Sequence, residues 1–187
     1  MAEIYSAKID HNENTIEAMY KVRYYVYGKL RIVLRLLLGL ALVMTAVFSH
    51  FPMWGKALLL LAGTWLIATK DLPAQAQADK ALMQRGAVLP SMSYSFYDDH
   101  LRLSGEGSMD LPYEKLSRLV EEDKYLYLFV SQDSVCMLER SSVQPEDDKG
   151  LMAFLEEKTG LKWSREKNLL AMNIFDIKQL ISDMRKK

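Results

Sequence analysis

Hydrophobic and polar positions follow three different rules along this chain. From Leu36 to Gly55 no side chain is formally charged, and none is from Ala57 to Thr69; Lys56 alone interrupts. A bilayer core about 30 Å thick needs roughly 20 apolar residues to cross as a helix. The run therefore predicts two membrane helices joined by a tight turn. The first is expected over about Ile32–Phe51, and the second over Ala57–Thr69, lengthened by Pro52–Lys56 if Lys56 snorkels outward. One span with a re-entrant arm, or a pair seated in one leaflet, are the alternatives. Pro52 and Gly55 suit the turn between them.

Ahead of this run, Glu3–Ile9 reads as a short strand. Asn14, with Glu17 three residues on, has N-cap spacing for a helix over Thr15–Tyr27. Ile16, Tyr20, Tyr24 and Tyr27 recur on one face of it, with Met19 and Val26 beside them. That stripe suits packing on the rest of the chain, or a helix lying in the headgroup zone. After the run, Ala74–Gln84 is rich in Ala and Gln and continues as helix toward Gly86.

Beyond Pro90 the period changes from helix to strand. Ser91–Phe96 alternates, with Met92, Tyr94 and Phe96 on one face. Further strands are expected around Leu101–Leu103, Met109–Leu111, Arg118–Glu121, Tyr125–Val130 and Ser134–Glu139, with a helical turn from Pro112 to Leu116. Short strands at this spacing predict an antiparallel meander curled into a barrel or sandwich. Lys149–Thr159 reads as an amphipathic helix ended by Gly160, placed to plug one end of that barrel. A last amphipathic helix is expected near Asn173, with Ile174, Ile177, Ile181 and Met184 on one face.

These residues reach a family. Leu111-Pro112-Tyr113-Glu114-Lys115-Leu116, then Leu119-Val120-Glu121, then Tyr125-Leu126-Tyr127-Leu128, behind two membrane helices, resemble the YcxB-like family of bacterial membrane proteins. The resemblance spans roughly residues 1–158 and implies a pleckstrin-homology-like β-barrel capped by a helix. It carries over no catalytic residue. The expected fold class is α+β: an N-terminal two-helix transmembrane hairpin, then a small antiparallel PH-like barrel with C-terminal helices. The expected division is 1–31 (strand and juxtamembrane helix), 32–71 (hairpin), 72–90 (connecting helix), 91–160 (YcxB-like domain) and 161–187 (helical extension).

Charge refines this picture. The net charge of zero hides +4 over residues 1–90, −8 over 91–160 and +4 over 161–187. The acidic middle block disfavours nucleic acid, and no phosphoinositide site is expected on it. Lys21, Arg23, Lys29, Arg31 and Arg35 precede the apolar run, and Lys70, Lys80 and Arg85 follow it, against Lys56 at the tip. Cations beside short loops favour the inside, so both ends are expected in the cytoplasm of a bacterial inner membrane. A cleaved signal peptide is a poor alternative, because the apolar run begins after a long mixed-charge segment. The single cysteine, Cys136, allows no intramolecular disulfide, as suits a reducing compartment.

Candidate chemistry is sparse. His11, His50 and His100 lie in separate segments without ligand spacing. Asp98-Asp99-His100 has metal-binding residue types, but a hairpin turn accounts for it. Glu121-Glu122-Asp123 and Glu146-Asp147-Asp148 read as solvated loops. Gly105-Glu106-Gly107 lacks the helix and lysine of a phosphate loop. Cys136 reads as a buried thiol. Arg35, near the end of a span, is expected to snorkel. No catalytic, cofactor-binding or metal-binding residue is expected, and no cofactor. Two functions are weighed ahead of an enzyme, which would need a concave site with perturbed titratable groups that nothing in the sequence predicts. One is a membrane-anchored, non-enzymatic module that binds a protein or peptide. The other is an oligomeric transport or channel component whose small residues Gly39, Ala41, Ala46, Ala62, Gly63 and Thr64 permit helix contact. The expected partners are the lipid bilayer, with a protein partner or a second copy.

Overall fold

The structure is a computed structural model that describes residues 2–85, 89–105 and 107–165. It is mixed α+β, with five α-helices and two four-stranded sheets. Sheet order is β1-β2-β3-β4 in the first: Tyr5–Asp10, Ser91–Phe96, His100–Ser104 and Ser108–Pro112, all antiparallel. The second is β7-β6-β5-β8: Val135–Glu139, Tyr125–Phe129, Arg118–Glu121 and Trp163–Arg165.

The alternation of Ser91–Phe96 becomes a strand because one face is buried. Tyr94 and Phe96 point inward, beside Leu101, Leu103 and Leu111 of the neighbouring strands. β6 differs. Leu126, Tyr127, Leu128 and Phe129 are all fully buried, so the strand is covered on both faces, as a continuous apolar run requires. One core joins Ala7, Ile9, both sheets, and Leu151 and Leu155 of α5 (Asp148–Thr159). Gly160 ends α5 with φ of 67°, the left-handed conformation that a glycine adopts without a steric penalty. Among described residues the sheets do not join into the closed barrel expected from the sequence. They meet at a corner instead. Ser6 and Gln144 form a single bridge there, and Ser142 Oγ donates to Lys8 O at 2.6 Å.

β1 pairs with β2 across the eighty residues 11–90: Ala7 faces Tyr94, and Ile9 faces Met92. Strand alternation predicts a strand here but not its partner. β8 was missed altogether, and it runs parallel to β5, which corrects the all-antiparallel expectation. Three residues are too few to show a period; Trp163 is held by tertiary contacts, its indole N–H donating to Met152 O at 3.0 Å.

Four of the helices lie between β1 and β2 in the chain. α1 spans Glu13–Tyr27, α2 Lys29–Phe48, α3 Met53–Ala68 and α4 Leu72–Arg85. The cap of α1 is Asn12, not Asn14. Thr15 N–H donates to Asn12 Oδ1 at 3.0 Å, and Asn12 N–H donates back to Thr15 Oγ1 at 2.8 Å. The reciprocal pair satisfies two backbone donors, so the helix starts two residues earlier than Thr15. α2 likewise starts at Lys29 rather than Ile32 and stops at Phe48, and α3 incorporates Met53–Lys56 as the sequence required for length. The expected helix over Asn173–Met184 lies outside the described residues.

α1 covers the outer face of the second sheet. Val22 and Val26 enter the core, and Tyr27 meets Phe129 edge-on with centroids 5.6 Å apart. Arg23 pairs with Asp133 at 3.1 Å. This favours the packed reading of the α1 stripe, although its buried positions are Ile16, Val22, Tyr25 and Val26 rather than the tyrosine row.

Candidate functional site

Among the described residues, exposed apolar side chains are concentrated on one helix pair. α2 and α3 pack along their length through glycine. A Cβ on Gly63 would lie 2.7 Å from Gly39 O and 2.8 Å from Val43 Cγ2; one on Gly39 would lie 2.8 Å from Ile67 Cγ1. Only hydrogen at both positions allows this approach. Of the small residues singled out in the sequence, Gly39, Ala46 and Gly63 are buried within the chain, while Ala41, Ala62 and Thr64 face outward.

The rest of the pair is exposed. Leu34, Leu37, Leu38, Val47, Phe48, Leu58, Leu61 and Trp65 all stand more than half open. In the most apolar stretch of α2 only 17 % of residues are buried. Soluble monomers rarely expose an apolar belt of this size, and such a surface marks a protein or membrane contact. By length and composition α2 is the one described helix able to cross a bilayer alone. α3 qualifies only together with α4, from which it is bent by 55°.

Polar groups gather at one end of the pair, where α1, α2, α3 and α4 meet. The Tyr25 hydroxyl donates to Asp71 Oδ1 at 2.5 Å. Burial and the Asp71 carboxylate both push the Tyr25 phenol well above its usual range. Lys21 Nζ stands 3.7 Å from the other Asp71 oxygen. Lys70 is buried, with its ammonium over the Tyr25 ring at 5.8 Å. Arg35 ties α2 to the end of α3: its Nε donates to Leu66 O at 3.2 Å and its Nη2 to Thr69 Oγ1 at 2.8 Å. Its guanidinium also lies over the Trp65 ring, 6.0 Å from the centroid. The cation thereby fills one backbone acceptor, Leu66 O, at the C-terminus of α3. Sequence reading found Arg35 and the basic collar from charge spacing. It missed Tyr25 and Asp71, because nothing local relates residues 46 positions apart.

A second polar network holds the sheet unit together. Arg140 Nε donates to Asp148 Oδ2 at 2.7 Å, its Nη1 donates to Glu122 O at 3.1 Å, and it stands 3.6 Å from Glu121. The buried Tyr127 hydroxyl donates to Glu122 Oε2 at 3.0 Å. Burial raises the Glu122 carboxyl above its usual range, opposed by that hydrogen bond and by Lys21. The Glu121-Glu122-Asp123 run is thus partly structural: Asp123 pairs with Arg165 of β8.

The remaining candidates fall apart from one another. His100 is in the turn region that the sequence suggested. Its Nδ1 lies 2.7 Å from Asp99 Oδ1 and its ring stacks on Tyr97 at 4.8 Å, while Asp98 pairs with Lys158 at 2.5 Å. Asp110 is held by Arg102 through two hydrogen bonds, at 2.7 and 3.0 Å. Asp147 caps α5 by accepting from Gly150 N–H at 2.8 Å. Cys136 is buried and its thiol is pushed up to about 12 by desolvation, so it is not a nucleophile at neutral pH. His11 sits beside Thr15, and His50 at the connection between α2 and α3. No three potential ligands gather to hold a metal among the described residues.

The arrangement defines a class: a two-sheet α+β unit with an exposed apolar helix pair inserted between its first two strands. Within it, residues 96–155 match a protein-family model described as YcxB-like protein. That stretch runs from the end of β2 into α5 and covers about a third of the chain. No curated protein and no solved structure matches the chain.

Proposed function

We propose that this chain is a membrane-anchored, non-enzymatic module. α2 and α3 cross a bacterial inner membrane as a hairpin, and the sheet unit, read as pleckstrin-homology-like, is presented in the cytoplasm to a protein or peptide. The observation that carries this reading is the exposed apolar belt on α2 and α3 beside a fully packed sheet core. Strand pairing supports the hairpin topology. β1 precedes both helices and β2 follows them, yet they share one ladder. Two segments in one sheet lie on one side of a membrane, so the chain between them crosses an even number of times. The sixteen residues of α3 are short for a bilayer, which thins around such a span at modest cost. Positive charge at the collar end favours the cytoplasmic side.

A free strand edge supports peptide binding. Ser6 of β1 is bridged to Gln144 beyond β7, and β8 occupies the edge of β5. Among the described residues β4 has a partner only in β3, and Met109 on it stands 57 % exposed. An extended peptide adds to such an edge by backbone hydrogen bonds. Arg35 is committed to Leu66 O and Thr69 at the end of the pair, which supports an anchor over a transport pathway.

Single cysteines at His50 and Gly107, in a Cys136→Ser background, test the topology in intact cells with a membrane-impermeant thiol reagent. Both sites are exposed, and a side chain at Gly107 meets nothing within 4 Å. Labelling at 50 alone is expected. Labelling at 107 would place the sheet unit outside and end the cytoplasmic reading.

A further inference from the structure

We propose that the outer face of α3 holds one anionic phospholipid, an acyl chain lying in a groove beside Trp65 and the phosphate meeting Arg35. This rests on the membrane-anchor reading. The groove is a shallow, open depression whose lining residues Leu61, Ala62, Thr64, Trp65 and Ala68 all lie on one face of α3. Its walls are hydrocarbon. The Thr64 hydroxyl is turned onto its own helix, donating to Leu60 O at 2.7 Å, and offers the groove its methyl. Ala62 and Ala68 open a trough that the Trp65 indole borders, a shape that receives a flexible chain.

Charge at one end of the trough selects the occupant. The Arg35 guanidinium lies over the Trp65 ring that borders it. Two of its nitrogens are held by Leu66 O and Thr69 Oγ1, while Nη1 makes no hydrogen bond among the described residues. No described carboxylate lies within ion-pairing distance of it. The cation is thus fixed in place, and Nη1 keeps no described partner at the level where α3 ends. A planar guanidinium with a spare N–H suits a phosphate oxygen. A phospholipid with net negative charge gains this attraction undiminished, whereas a choline headgroup brings its own cation to compete.

The test uses the full chain with Trp65 as sole tryptophan (Trp54→Phe, Trp163→Phe) in phosphatidylcholine vesicles containing phosphatidylglycerol. Bromines are placed on the acyl chains of one lipid or the other at equal mole fraction. One pairing of this kind predicts about fivefold enrichment of phosphatidylglycerol at Trp65, read as excess quenching. Arg35→Gln is expected to equalise the two lipids while leaving quenching by phosphatidylcholine intact. Equal quenching by both in the protein with Arg35 present would overturn the lipid site and leave the anchor standing. Quenching by neither would mean that Trp65 is outside the bilayer, and the anchor reading would fall with it. The first comparison needs no Arg35 variant, so misfolding of that variant does not blunt the test.

Discussion

Tyr25 and Asp71 are joined by a 2.5 Å hydrogen bond at the point where the helix pair meets the rest of the molecule. Tyr25 is the last buried aromatic of α1, and Asp71 sits in the bend between α3 and α4. The contact therefore fastens the sheet unit, through α1, to the end of the apolar pair where α3 turns into α4. Hydrogen bonds to a charged acceptor contribute about 1.5–3 kcal/mol. Tyr25→Phe keeps the ring under Lys70 and removes only the donor. It is expected to lower stability by about that amount in thermal unfolding of the membrane-reconstituted chain. A loss of a few tenths would show that Lys21 alone suffices to hold Asp71.

Gly63 is the tightest point between α2 and α3, with Gly39 O standing 2.7 Å from where a Cβ would be. Backbone cannot move aside as a flexible side-chain tip can. Gly63→Val is expected to cost about 1–3 kcal/mol by overpacking and to draw Arg35 away from Leu66 O. Gly107→Val meets open space and is expected to leave stability nearly unchanged. Cross-linking between cysteines at Ala46 and Leu60 would report the separation of the helices directly. An unchanged yield in Gly63→Val would contradict the close approach.

Local rules carried much of this fold, and their failures have a common cause. Ser91–Phe96, Arg118–Glu121 and the stop at Gly160 follow from a period of two or from one residue's conformational range, and the structure places them there. The apolar run was equally legible, because solvent preference is a property of each side chain. Partner choice was not. β1 with β2, β8 with β5 and Tyr25 with Asp71 are decided by packing between distant segments. The barrel expectation failed for this reason: strand count and spacing say nothing about whether edge strands meet. Asn12 displaced Asn14 as the cap because Thr15 returns its hydrogen bond, a reciprocity the Asn14–Glu17 spacing hid.

Glu122 gives the stability a pH dependence of definite sign. Burial holds its carboxyl above the usual carboxylate range in the folded chain. The folded state then binds the proton more tightly than the unfolded state does. Stability from this group is full below the unfolded pKa and falls as pH rises through the folded one. The groups facing it are Tyr127, Lys21, Asp123 and Arg165. Glu122→Gln keeps an oxygen to accept from the Tyr127 hydroxyl and never ionises. It is expected to flatten this decline, so the variant gains on the parent chain as pH rises above the mildly acidic range. Parallel unfolding curves for the two proteins across that range would refute the assignment.

β1 makes the N-terminal residues part of the unit that lies beyond the helices. Ile9 is 1 % exposed and Ala7 4 %, and both face the core that Tyr94 and Phe96 build from β2. Removing Ile9 side-chain atoms creates a cavity under the edge of the first sheet. Ile9→Ala is expected to cost about 2–4 kcal/mol. A fragment of residues 89–165 loses β1 and α1 together. The corner with Ser142 and the Val22 and Val26 face of the second sheet are then uncovered. Such a fragment is expected to aggregate or to exchange its β2 amides rapidly. Adding residues 2–27 back through a short linker, without α2 and α3, should restore slow exchange in β2 and β6. If the fragment alone were slow to exchange, β1 would be an accessory strand, and the strand pairing would no longer constrain how often the chain crosses the membrane.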